Sequence, residues 1–266
     1  MCVTKLSLVS LTKKSSKVNH TCLNCNQPVT TNYCGSCGQK SSTHRYSLRH
    51  FIEHDLIHGV WHVDRGILYT IKELFTRPGN SVREYILGKR ANYFNVITLL
   101  LLTATISSIL SHYSNLEYSV LVSDTIKDKM VSIQELMTSY LKIFLLLMIP
   151  FNAIFSYIWF RKAGFNYSEH LVLNAYKTAA EMVATVVLTL VTLFFDKSAA
   201  LVSSYLMVFF IFSLIYGIWF YSQFFSPSGY SKAGLVFRSL MIPFSFMIFQ
   251  SCVGYIWGLI SSILNT

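Results

Sequence analysis

The sequence predicts an all-α membrane protein: about five transmembrane helices, preceded by amphipathic helices and a small N-terminal zinc ribbon. Three observations carry that prediction. Only 13% of the 266 residues are charged while 53% are hydrophobic, far from the balance of a soluble domain. Five apolar runs are long enough to cross a hydrocarbon core of about 30 Å, which takes about 20 helical residues. Four cysteines stand close together ahead of the first run.

The leader, residues 1–19, begins MCVTKLSLVSLTKKSSK. It lacks the apolar stretch of about 7 to 15 residues that a signal peptide needs, and it reads as disordered and cytosolic. Residues 20–40 form the expected ribbon. Cys22 and Cys25 are followed, after eight residues, by Cys34 and Cys37. Each CxxC turn lets two thiolates grip one metal, and four thiolates make the closed tetrahedral shell that a structural zinc prefers. Asn26 and Gly38 follow the two pairs and accept the left-handed backbone such turns need. One structural zinc is the cofactor expected, with no open position for catalysis. A unit this small cannot bury a core, so the metal is its fold. Cys2 and Cys252 stand apart, which argues against a disulfide framework.

Residues 47–90 read as an amphipathic collar. Leu48, Phe51, Ile52, Leu56, Val60 and Val63 recur at helical spacing behind Ser47 as N-cap, and the helix would lie on the membrane surface or against the bundle. Asp64 to Gly66 interrupts it. A second helix runs to about Phe75, Arg77-Pro78-Gly79-Asn80 reads as a tight turn, and Ser81 and Glu84 have capping-box spacing for a short helix ending near Gly88.

Residues 91–266 hold the spans, expected near 93–112, 141–160, 177–195, 201–224 and 238–264. Pro150 and Pro243 should kink the second and fifth. The outer loop 113–140 carries a helical piece, SIQELM, and the inner loop 161–176 reads as an interfacial helix. No internal repeat is visible. Of the 22 Lys and Arg residues, 18 fall on one side of this topology and four on the other. The positive-inside rule then places the N-terminus in the cytoplasm and the C-terminus outside, as for a multi-pass protein of a bacterial inner membrane.

The four cysteines with Gly38-Gln39, the stretch HDLIHGVWHVDRG, Arg77-Pro78-Gly79, Arg83-Glu84-Tyr85, Gly88-Lys89-Arg90 with Tyr93, and Glu169-His170 with Asn174 and Tyr176 resemble one group. It is an uncharacterised bacterial family of integral membrane proteins, a domain of unknown function with an N-terminal zinc ribbon. The resemblance spans about residues 20–180. Asn26 stands where a glycine is usual, and no proline follows Tyr93. The resemblance implies a membrane protein and no established activity.

Three further groups are candidate sites. His50, His54, His58 and His62 recur every four residues, and HFIEH fits the H-x-x-E-H spelling of inverted zinc peptidases. A four-residue step drifts about 40° per repeat on a helix, so all four cannot converge. His54, His58 and His62 with Asp64 are the candidate second metal site. Arg83, Lys89 and Arg90 stand at the cytoplasmic mouth of the first span, where cations attract anionic headgroups. Glu181 lies one turn inside the third span, with Lys177 at i−4 as its partner.

Two classes of function follow. The first is a non-catalytic membrane protein whose cytosolic ribbon and collar dock a protein partner or organise lipid. The second is a transporter or membrane metalloenzyme using the His54/His58/His62 helix, Asp64, Glu169, His170 or Glu181. Nucleic acid is a poor partner, since the basic head has no stacking platform or basic stripe.

Overall fold

The computed structural model describes residues 20–43 and 66–264. His50, His54, His58, His62 and Asp64, the first collar helix and the leader lie outside the described residues. In the ribbon, β1 (His20–Thr21) pairs antiparallel with β2 (Pro28–Val29). Eight α-helices follow among the described residues: α1 (Gly66–Thr76), α2 (Pro78–Ile86), α3 (Val96–Tyr113), α4 (Asp124–Ser139), α5 (Leu141–Trp159), α6 (Tyr167–Thr192), α7 (Ala199–Phe225) and α8 (Lys232–Leu264). The all-α expectation holds. Among the described residues, α3, α6, α7 and α8 are long and apolar enough to cross a membrane. The remaining expected span, the second, is α5, which runs 19 residues and whose described apolar part is Leu147–Trp159.

The collar departs from the expected turn. Proline at the first helical position has its φ preset and loses no needed hydrogen bond, so α2 starts directly at Pro78 with Arg77 as N-cap. Ser81 makes no capping box with Glu84; its hydroxyl donates to the Pro78 carbonyl. Glu84 instead accepts from Arg77, whose guanidinium also holds Glu73, so one cation ties α1 to α2. The helix ends at Gly88 as expected. The Gly88 amide donates to Tyr85 and the Lys89 amide to Glu84, the paired bonds of a Schellman cap.

Residues 88–95 then carry the chain into α3. Thr70 accepts from the Phe94 amide at 2.8 Å and Tyr176 donates to the Phe94 carbonyl at 2.9 Å. Asn95 caps α3 by accepting from the Ile97 and Thr98 amides. At the other end Asn115 donates to the Phe195 carbonyl at 2.6 Å. These two ties set α3 alongside residues 176–192 of α6 and the turn that follows it.

The inner loop contains no separate interfacial helix. A 3₁₀ turn at Arg161–Ala163 leads straight to α6, which starts ten residues before the expected position. Asn166 and Glu169 form a reciprocal capping box there, which satisfies orphan amides at the helix start. The outer loop holds more structure than one helical piece: a 3₁₀ turn at Tyr118–Leu121 and the 16-residue α4. Both prolines sit inside continuous helices, and the Pro150 carbonyl accepts from Tyr167.

Helix α6 is the axis of the bundle. It packs against α1, α2, α3, α5 and α7, and Val172, Leu173, Ala175, Tyr176, Ala179 and Ala180 are buried from solvent. The outer faces of α7 and α8 expose Met207, Phe210, Ile215, Phe244 and Met247, a reversal of the soluble rule that suits lipid. Across α6 and α7, Asn174 meets Tyr221 at 2.7 Å, Glu181 meets Ser213, and Thr189 meets Tyr205 at 3.4 Å. These rungs recur every seven or eight residues, about 11 Å apart along the helix, and fix the antiparallel register where apolar contact alone would permit sliding.

The α2 helix locks the collar onto the bundle. A Cβ on Gly79 would lie 2.2 Å from the Phe220 carbonyl, so only glycine permits α2 to approach α7 there. Arg83 donates to the Phe224 carbonyl at 3.0 Å and covers the Phe165 ring. Phe160 stacks on Phe225 at 3.9 Å. The end of α5, the start of α6, the end of α7 and the collar therefore meet at one end of the bundle, the ribbon end.

Candidate metal centre

The ribbon is two copies of one turn. Cys22 donates its amide to the Gln27 carbonyl and accepts from the Asn26 amide; Cys34 does the same with Gln39 and Gly38, all at 2.8 to 2.9 Å. The two turns, CLNCNQ and CGSCGQ, are a twelve-residue repeat that the sequence reading missed. Asn26 and Gly38 adopt φ of 61° and 75°, the left-handed backbone expected of them.

The four Sγ atoms lie within 4.8 Å of one another, with Cys22 to Cys37 at 3.6 Å and Cys25 to Cys34 at 3.4 Å. A disulfide would be about 2.05 Å, while sulfurs about 2.3 Å from a tetrahedral ion stand about 3.8 Å apart. The observed spacing fits a metal ion. The amides of Ser36 and Cys37 bring the Cys34 thiol down to about 6. At Cys25 the backbone of Gln27 favours the thiolate, yet burial and the neighbouring thiols push it up to about 12. Four thiolates cannot share this space without a cation. Four sulfur donors this close together could hold one metal ion.

The ribbon is seated on the collar by one side chain. Gln39 is buried, its Nε2 donates to the Gly88 carbonyl at 2.8 Å, and its Oε1 accepts from the Arg90 amide at 3.0 Å. Leu23 fills the space beside Gly88, where a Cβ would lie 2.7 Å from Leu23 Cδ1 and where φ is +115°. The backbone of Gln39 belongs to the second metal turn, so the clamp is positioned by the metal-binding fold itself.

Residues 64–107 match a family described as a protein of unknown function (DUF3667). The matched segment holds α1, α2, the linker and most of α3. It includes Arg77-Pro78-Gly79, Arg83-Glu84-Tyr85, Gly88-Lys89-Arg90 and Tyr93, and it excludes the cysteines. No curated protein and no solved structure matches the chain. The structure gives several of the matched residues local work: Gly79 and Arg83 hold α7, Gly88 and Arg90 receive Gln39, and Arg77 joins α1 to α2.

The other candidate residues are dispersed. Glu169 is buried and accepts from the Asn166 amide at 2.7 Å as half of the capping box. His170 is buried, with Nδ1 2.9 Å from the Ser156 hydroxyl and its ring stacked on Phe225. Asn174 joins that network by donating to Ser156 and accepting from Tyr221. Glu181 pairs with Lys177 at 2.6 Å, as expected, and also accepts from Ser213. Among the collar cations, Arg83 is tied to α7. Arg90 donates to the Tyr85 carbonyl, and the half-exposed Lys89 lies 3.6 Å from Glu84. Ser156 and Tyr221 had no individual sequence signal and Gln39 only its place in the resemblance, because each gains its role from a partner distant in the chain.

Proposed function

We propose that this chain is a non-catalytic, multi-pass protein of a bacterial inner membrane. In this reading one zinc closes a cytosolic ribbon that is held rigidly on the collar as a docking module for a cytosolic protein. The observation that carries this reading is the two-ended Gln39 clamp. A ribbon that only recruited partners from a flexible tether would need no buried polar seat on the collar. The repeat supports a docking role as well: Gln39 is used against the collar, while its counterpart Gln27 and nearby Tyr33, 59% exposed, face outward. Zinc suits four closed thiolates and structural duty. The 18 to 4 division of basic residues puts the ribbon end in the cytoplasm. There the half-exposed Lys89, with Arg83 and Arg90 behind it, meets anionic headgroups.

The metalloenzyme reading needs Glu169 or His170 to join His54 and His58 around a second ion. Glu169 is engaged in a helix cap and His170 in a buried network, which weighs against that convergence. Elemental analysis of purified protein tests the choice. One zinc per chain is expected, lost in the Cys22→Ser/Cys25→Ser variant and kept in the His54→Ala/His58→Ala variant. A value near two that falls to one in the histidine variant would overturn the reading in favour of a membrane metalloenzyme.

A further inference from the structure

Two hollows, of ≈ 490 Å³ and ≈ 460 Å³, open on the flank between α6 and α7 and share Leu188 and Val208 in their walls. They form one groove, and its polarity runs in one direction. The end toward the ribbon is apolar throughout and is bounded by Ile71 and Phe75 of α1 together with Phe212. The polar groups lie toward the other end, where Asp196, Ser198 and Ser204 line the mouth. From Val183 to Thr192 the helix rises about 14 Å, close to the about 15 Å of hydrocarbon in one leaflet.

We propose that this groove is a lipid site, which seats one acyl chain of a phospholipid from the leaflet remote from the ribbon. The chain lies on Val183, Leu188 and Val208 with its methyl end toward Phe75, and the glycerol and headgroup rest at the mouth. The mouth presents the Asp196 carboxylate with the Ser198 and Ser204 hydroxyls, which match the ammonium and phosphate of phosphatidylethanolamine. A second copy of this chain fits less well. A helix is about 10 Å across and would have to pass the α1 end of the groove, and an apolar helix would leave the Asp196 carboxylate at the other end without a counter-charge. The site is independent of the ribbon and its metal.

The test uses full-length protein in nanodiscs of phosphatidylethanolamine doped with an analogue that carries a diazirine in mid-chain. After irradiation, labelled residues are mapped by mass spectrometry. Labelling is expected to concentrate on Val183–Phe195 and Leu201–Phe212, and to fall about fivefold when Val208→Trp fills the groove. Val208 is 49% exposed, so the change leaves the buried core intact. Ile211→Trp, on the same helix but lining neither hollow, should leave the labelling unchanged. Labelling spread evenly over α7 and α8, and insensitive to Val208→Trp, would overturn the site. So would cross-links between two copies through this flank in place of lipid adducts.

Discussion

Gln39 shows how an uncharged side chain can couple a metal site to a membrane bundle. Its amide satisfies a carbonyl and an amide of the linker at once, and a buried group left without its partner costs about 1 to 3 kcal/mol. Gln39→Ala should therefore free the ribbon from the collar while leaving the metal bound. Hydrogen exchange at the Arg90 amide should rise by at least about tenfold, with zinc content unchanged. Loss of zinc in this variant would show instead that the seat is needed to form the metal site. His170 and Glu169 carry the opposite lesson. Residue types that suit catalysis are here engaged by a network and a cap, His170 through Nδ1 with its buried Nε2 left without a partner, and only the positions of Ser156 and Asn166 reveal it.

The element on which the bundle turns is α6. Its polar residues would each be costly in lipid, and several are matched from α5, from α7, from the linker at Phe94 or along α6 itself. The Lys177 and Glu181 pair lies about four turns into α6, and Ser213 accompanies it from α7. Removing one member of a paired charge in low dielectric is worse than removing both. Glu181→Ala should lower the melting temperature in detergent more than Lys177→Met/Glu181→Met does, by about 2 kcal/mol of stability. Equal losses would mean that the pair is solvated and adds nothing. The early start of α6 was legible in NYSE, which has capping-box spacing. The reading of residues 161–176 as an interfacial loop overlooked it because charge and aromatic content there resemble a membrane surface.

At the scale of the whole molecule, α3, α5, α6, α7 and α8 run alternately up and down. Arg83 with Phe224 marks one end and Asn115 with Phe195 the other. Residue 266 should then lie on the opposite side of the membrane from the ribbon. A single cysteine placed there, in a chain lacking Cys2 and Cys252, should react with an impermeant maleimide from outside intact cells. Reaction only after the membrane is opened would reverse the topology. The ribbon, the collar and the ends of α5 and α7 form one contiguous body at the ribbon end. A partner bound to the ribbon would therefore press on the collar and on the entry to α3.

The sequence by itself determined the helical class, the long apolar helices, the four-cysteine turns with Asn26 and Gly38, the Schellman end of α2 and the Lys177 to Glu181 pair. All of these rest on composition or on neighbours within a few residues, where spacing alone dictates geometry. Only the tertiary structure decided that Gln39 clamps the linker, that Gly79 exists to admit α7, that Glu169 and His170 are spent within the bundle, and that α6 and α7 are joined by three polar rungs. Each of those depends on residues tens of positions apart arriving at hydrogen-bond or van der Waals distance. No local pattern encodes that arrival, because it is set by how the helices pack.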